Sequence, residues 1–321
     1  MKDIIGSIFP FFKQKIAQII LFLIVFFVLG YINIRGVKEG VGLVKLITVA
    51  KLTPLLLLVV LSWGNVSAAN LTLDTVPSIV ELGQISLILF FAFQGADAGL
   101  SVSGEVINPK KTIPKAILIS ILGVLILYIL IQTVAQGVLG PSLSTFTENP
   151  LSQVANKVFG PIGFMLITIG AAISMFGNLS SEVLSIPRVL YQASKDNTLP
   201  INSLSKIHSK FSTPHIAIIS YAALGFLFAS FGGFKQLAII SSATILLVYL
   251  GVSLSVIKLR RAGKIKLEDQ GFKIPGGYLI PILSSLTIIW LLSNLTQNEG
   301  IGIGLFIVAL TLLYFLKKKF S

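Results

Sequence analysis

Apolar runs of about one membrane thickness recur along this 321-residue chain, separated by short polar or basic intervals. Nine stand out, at 16–33, 43–63, 85–106, 116–138, 161–187, 214–232, 236–257, 277–295 and 300–316. A helix needs roughly 20 apolar residues to cross the hydrocarbon, so most of these runs have the right length; the fifth is long and the last is short. The two-residue alternation of a transmembrane barrel strand is missing. The pattern predicts an all-α polytopic membrane protein of about nine transmembrane helices, one transmembrane domain over 1–321.

The third run departs from the others. In ISLILFFAFQGADAGLSVSGEVINPKKTIP, residues 85–114, the apolar opening gives way to Gln94, Gly95, Asp97, Gly99 and Ser101. An acid near the middle of a span costs about 2.5–3.5 kcal/mol on the insertion scale, and such groups face a bundle interior or a water-filled cavity. Two readings are open from the residues alone. Gly95 and Gly99 form a GxxxG pair that lets two helices approach closely. Equally, the glycines permit a discontinuous helix, whose freed backbone groups bind substrate near the midplane. After the run, Asn108-Pro109 stops the helix and Pro114 can open the next one.

Two more ionisable residues fall within spans. Lys51 lies about nine residues past Gly42, close to the bilayer centre at a ~1.5 Å rise per residue. It reads as a lysine tucked into a polar gap or as a fixed cation at an ion-coupling position. Glu182 comes six residues before Arg188 and reads as an acid paired with polar groups there or packed in a gap.

Composition narrows the function classes. The chain is 54% hydrophobic and 12% charged, with a mean hydropathy of +0.92, outside the range of soluble globular domains. It has no cysteine, which removes disulfides, thiolate metal sites and cysteine nucleophiles together. Its two histidines, His208 and His215, fall in or beside a loop. No Walker, HExxH or GxSxG motif and no His/Asp metal cluster occurs, so no cofactor or metal is expected and an intramembrane enzyme has little support. The net charge is +13, but the basic residues lie mainly between spans. Of 25 Lys and Arg, 19 fall in one set of alternate loops and 5 in the other, with Lys51 left over inside a span. The positive-inside rule explains this distribution without nucleic acid, and places the N-terminus outside and the C-terminus in the cytoplasm. A first span entering from outside, behind three lysines, is a poor start for insertion, so the chain is expected to be N-terminally truncated, having lost upstream helices that carried its N-terminus across.

With these residues in view, the run FFAFQGADAGLSVSGEVINPKKTIPKAI resembles the sixth transmembrane helix of amino acid permeases in the amino acid–polyamine–organocation superfamily. Phe91, Ala92, Phe93, Gly95, Asp97, Glu105, Asn108, Pro109, Lys111 and Pro114 all fall on that pattern. NIRGVKEGVGLVKLITVAKLTPLL is similar to the family's fifth helix, and IPRVLYQASKDNTLP with IHSKFSTP resembles its eighth helix and following loop. The resemblance implies helices four to twelve of a twelve-helix parent, part of a five-plus-five inverted repeat, with nothing matching helices one to three. It implies that Phe91 closes over substrate, and that the unwound backbone of Ala92, Phe93, Gln94 and Gly95 takes an α-ammonium. It further implies that Asp97 serves coupling and holds the broken helix, that Glu182 lies near the substrate-facing part of helix eight, and that the Lys51 ammonium stands in for a coupling ion.

The expected function is secondary transport of an amino acid or related amine, proton-coupled or by exchange, in a bacterial inner membrane with lipid as its surroundings. The alternative is a non-transporting remnant of a permease. In a full-length version, Lys51→Ala should abolish coupling; transport with unchanged pH dependence in that variant would reject the role.

Overall fold

The computed structural model describes residues 6, 10–35, 41–72, 76–96, 100, 106–147, 149–199, 201–231, 233–262 and 276–320. Among these are nine α-helices and no strand: α1 (Lys15–Arg35), α2 (Val41–Ser62), α3 (Ile79–Ala92), α4 (Pro109–Leu139), α5 (Pro150–Lys195), α6 (His215–Phe231), α7 (Phe234–Arg261), α8 (Leu279–Ser293) and α9 (Gln297–Phe320). Each apolar run falls on one of them, so the all-α polytopic fold read from the sequence holds. Five segments are long and apolar enough to cross a membrane, namely Lys15–Arg35, Thr48–Asn65, Pro109–Thr145, Pro150–Lys195 and Phe234–Arg261. Helices α3 and α6 are shorter apolar helices, and α8 meets the first part of α9 at a 116° bend.

The largest departure from the sequence reading is α3. The apolar run at 85–106 predicts a helix of that extent, whereas the helix occupies Ile79–Ala92. Its start is set by a capping box at Ser78 and Glu81. The Ser78 hydroxyl accepts from the Glu81 amide, while the Glu81 carboxylate accepts from the Ser78 amide at 2.8 Å. Two amides at the helix start are thereby satisfied.

In α5 a local break divides a long hydrogen-bonded run. Gly160 takes φ 68 and ψ −162, separating 150–159 from 161–195. Pro161 has no N–H to lose and a φ suited to a first turn, so it starts the second part.

The chain divides into two compact units. The first holds Met1–Leu73, Leu127–Gly232 and Leu313–Ser321. There α1 packs on α6, and α2 packs on α5. Leu58 and Val59 of α2, Val134, Ala135 and Val138 of α4, and Val154 and Ala155 of α5 form its main core cluster. The connection after α2 docks on the end of α4. The Ser67 amide and the Asn70 Nδ2 both donate to the Gly137 carbonyl, at 3.0 and 2.8 Å. The Lys157 ammonium donates to the Val138 carbonyl at 2.7 Å. A cation and two donors thus meet carbonyls that the last turn of a helix leaves without intrahelical partners.

The second unit holds Asp74–Ile126 and Gly233–Leu312. Helices α7 and α8 pack together, and α3 packs on both. Leu87, Leu246, Ile288 and Leu291 form its core cluster. Gly83 lets α3 approach the side chain of Asn294, which occupies the space a Cβ would need.

The break at Gly160 gives a direct test. Its φ/ψ lies in a region essentially reserved for glycine, where a side chain costs about 1–3 kcal/mol. Gly160→Ala should lower the thermal midpoint in detergent. Gly123→Ala, within α4 and with open space around it, should leave the midpoint unchanged or raise it. Equal effects of the two substitutions would show that backbone strain at Gly160 is not what matters.

Candidate functional site

Helix α3 is too short to cross a bilayer. Its 14 residues rise about 21 Å at ~1.5 Å each, against about 30 Å of hydrocarbon. A helix of this length that starts at one interface would end inside the apolar layer. After Ala92 the chain turns: Phe93 has φ −99 and ψ 0, and its amide donates to the Phe90 and Phe91 carbonyls. The Gln94 amide donates to the Phe91 carbonyl at 3.3 Å. Gly95 then takes φ 96, a conformation that side-chain-bearing residues rarely adopt. Among the described residues no atom beyond its chain neighbours lies within 4 Å of where a Cβ on Gly95 would stand. Gly95 is therefore a turn glycine, and among the described residues it makes no close helix–helix approach.

Helix α7 holds this terminus from several points. The Gln94 Nε2 donates to the Ser242 hydroxyl at 3.3 Å, and its Oε1 accepts from the Ser241 hydroxyl at 3.0 Å. Ser242 is fully buried. The Phe91 ring meets Phe234 edge-on, with centroids 5.8 Å apart and planes at 84°. Phe90 meets Tyr249 in the same way at 6.2 Å. From Phe234 to Tyr249 is about 22 Å along a helix, so five residues of chain, Phe90 to Gln94, reach contacts spread along a large part of α7. Such edge-to-face pairs contribute about 0.5–1.5 kcal/mol beyond the area they bury.

The remaining expected site residues fall as follows. Asp97, Gly99 and Glu105 lie outside the described residues. Phe91, Ala92, Phe93, Gln94 and Gly95 belong to the second unit, and Lys51 and Glu182 to the first. Lys51 is half-buried on α2 and has no hydrogen-bond or ion-pair partner among the described residues. Beyond it on α2, Thr53, Pro54 and Leu57 line an open apolar groove of about 400 Å³, closed on the α5 side by Phe159, Ile162 and Leu166.

Glu182 is engaged. Its carboxylate accepts from the Asn178 Nδ2 at 3.2 Å, one helical turn before it, and the Tyr221 hydroxyl of α6 lies within its electrostatic reach. The Arg188 guanidinium instead donates to the Leu184 carbonyl, so pairing near Arg188 is not what Glu182 does. His208 stands in the connection before α6 and His215 is the first residue of α6, their rings edge-to-face at 5.3 Å. Among the described residues no three His, Cys, Asp or Glu side chains cluster in a way that could hold a metal. The contacts that sequence reasoning missed are Ser241, Ser242, Phe234 and Tyr221. The pair of serines inside the apolar stretch IISSATIL was a usable signal, because adjacent hydroxyls buried in a span need partners.

Comparison with known proteins agrees with the resemblance seen in the motifs. A family model described as amino acid permease matches residues 1–315. The serine/threonine exchanger SteT of Bacillus subtilis (strain 168) is 30% identical over 295 residues, covering 90% of this chain and 67% of that protein. The branched-chain amino acid permease BcaP of the same organism is 27% identical over 291 residues, covering 90% of this chain and 62% of BcaP. A methylthioribose transporter, also from B. subtilis, is 27% identical over 292 residues, covering 89% of this chain and 61% of the transporter. The chain thus spans about two thirds of the length of these relatives.

The contact between α5 and α6 can be measured. Tyr221→Phe removes the hydroxyl and Glu182→Ala the carboxylate of the same polar contact. Because Glu182 is exposed, the coupling energy in a double-mutant cycle of thermal unfolding should be small, about 0.5–1.5 kcal/mol. Strict additivity of the two substitutions would mean that the contact does not form.

Proposed function

This chain belongs to the amino acid permease family, and we propose that it carries amino acids or related amines across a membrane by alternating access. Transport is secondary, driven by a proton gradient or by exchange. The observation that carries this reading is the end of α3 at Ala92, followed by a turn through Gly95. A helix C-terminus bears the negative end of the macrodipole, and terminal carbonyls attract a cation at a depth where water is scarce. An α-ammonium is the cation common to all amino acids. The backbone of Ala92 to Gly95 receives it, and Phe91, on the last turn of α3, closes over the bound molecule. Asp97 serves coupling, and the Lys51 ammonium provides a fixed positive charge in α2, as a compact point cation can.

The names of the relatives support the class of substrate rather than one compound. A serine/threonine exchanger and a branched-chain permease share only the amino acid backbone as cargo chemistry, which agrees with recognition through main-chain groups. Two acids within the apolar segments, Asp97 and Glu182, lean the reading toward a cationic or polyamine-like side chain. The Glu182 carboxylate already accepts a hydrogen bond from Asn178, so Asp97 is the stronger of the two for that purpose. The protein is an integral membrane protein. In the proposed orientation, in a bacterial inner membrane, the N-terminus is outside and the C-terminus cytoplasmic, as the distribution of lysine and arginine suggests.

Uptake into proteoliposomes by the isolated chain, with labelled L-serine, L-leucine, L-arginine and methylthioribose, tests the reading. Saturable uptake of at least one amino acid is expected. Uptake of methylthioribose alone would reject the substrate class, and no uptake of any of the four would make this polypeptide a non-transporting member of the family. Phe91→Ala should lower uptake about 10-fold, a change worth about 1.4 kcal/mol in transition-state terms. Its yield of folded protein should stay close to that of the parent. Loss of yield in proportion to loss of uptake would mean that the ring packs and does not gate.

A further inference from the structure

Gln94 spends both ends of its amide within the protein. The Nε2 donates to Ser242, the Oε1 accepts from Ser241, and Ser242 is fully buried on α7. A side chain so engaged is not aimed at a transported molecule, although its own backbone is part of the turn that leaves α3. The residue after it, Gly95, has no neighbour within 4 Å of a Cβ position among the described residues. The Gln94 amide is thus a polar anchor that ties the turn to α7, with a conformationally free glycine directly after it. We propose that Gln94 is a positioning residue: its amide clamps the turn after α3 to the hydroxyls of Ser241 and Ser242, and so fixes where the carbonyls of that turn point.

The physical need for the clamp follows from the glycine. Gly95 at φ 96 restricts its own backbone very little, and the helix has already ended two residues before Gln94. Without an anchor, the segment can sample many orientations of its carbonyl groups. An ammonium held by those carbonyls loses affinity as the fraction of correctly oriented turns falls. Gln94 suits the task because one planar amide supplies a donor and an acceptor to two neighbouring hydroxyls, each of which can do either. Phe91 on Phe234 adds a second attachment to the same helix, but an aromatic edge contact lacks the directionality of the amide. The clamp acts on the part of the proposed site that every amino acid shares, which separates it from a residue that selects among side chains.

The chain has no cysteine, so a single reporter thiol can be placed without background. Ala96 is half-buried next to the turn. With Ala96→Cys as the reporter in the full chain in detergent, the rate of modification by a thiol reagent reads how often the turn opens. Adding Gln94→Ala should raise that rate about 3- to 10-fold, the population change expected from one or two lost hydrogen bonds. Ser241→Ala with Ser242→Ala should give the same increase, and adding them to Gln94→Ala should give nothing more. Ser241→Thr with Ser242→Thr keeps the hydroxyls and should restore slow modification.

The transport arm rests on the amino acid reading above. In proteoliposomes, Gln94→Ala should raise KM for L-serine and for L-leucine by the same factor while kcat is retained. A merely structural defect would lower kcat through loss of active protein and leave KM unchanged. Unchanged modification rates, or unchanged KM with lower kcat, overturn the proposal. Wild-type protein that transports neither L-serine nor L-leucine overturns the positioning role together with the transport reading. Wild-type transport with unaltered modification in Gln94→Ala overturns the clamp alone.

Discussion

Inside hydrocarbon, a backbone carbonyl without a partner has no water to turn to, and each unsatisfied group costs several kcal/mol. That constraint governs the second unit. A plain span avoids the problem by running from one interface to the other. Helix α3 does not, because 14 residues capped at a polar start stop short of the far side. Its last carbonyls must be met by a turn, by neighbouring side chains or by a bound molecule. The local answer is visible in the Phe93 and Gln94 amides, which fold back on the Phe90 and Phe91 carbonyls, while α7 holds the Gln94 side chain and the two rings in place. The same terminus is the part of the structure on which the proposed recognition of an ammonium group rests.

The first unit meets a milder form of the same demand at the end of α4. There the answer comes from the chain itself, with Ser67, Asn70 and Lys157 all donating to carbonyls of Gly137 and Val138. A helix end fully satisfied by protein donors is structural. The end of α3 carries instead a pattern of small, polar and aromatic residues. Comparing the two ends separates a cap from a candidate binding turn more sharply than either does alone.

How much of this could be read in the sequence depended on whether the signal was local. The nine helices were legible because apolar length is a property of consecutive residues. The end of α3 was legible in part: Gly95 and the polar residues around it marked a break, yet the run at 85–106 did not say where the helix would stop. The start at Ile79 is carried by the capping-box spacing of Ser78-Ile-Val-Glu81, a signal that apolar length does not register. The break in α5 lies at Gly160-Pro161, which apolar length passes over in the same way. Contacts between distant elements were not legible. Nothing near Glu182 announces Tyr221, and nothing near Gln94 announces Ser241 and Ser242, since which faces meet is decided by how the helices cross.

That distance along the chain has a further consequence, in time rather than in space. Gln94 is 147 and 148 residues from its two partners. At about 5–20 residues per second, a ribosome needs roughly 7–30 s to go from one to the other. During that interval α3 and its broken end are already made while α7 does not yet exist. The nascent terminus must be kept from wrong partners by the insertion machinery, by lipid headgroups or by staying near the surface. The candidate binding turn thus reaches its final surroundings only after α7 has been made.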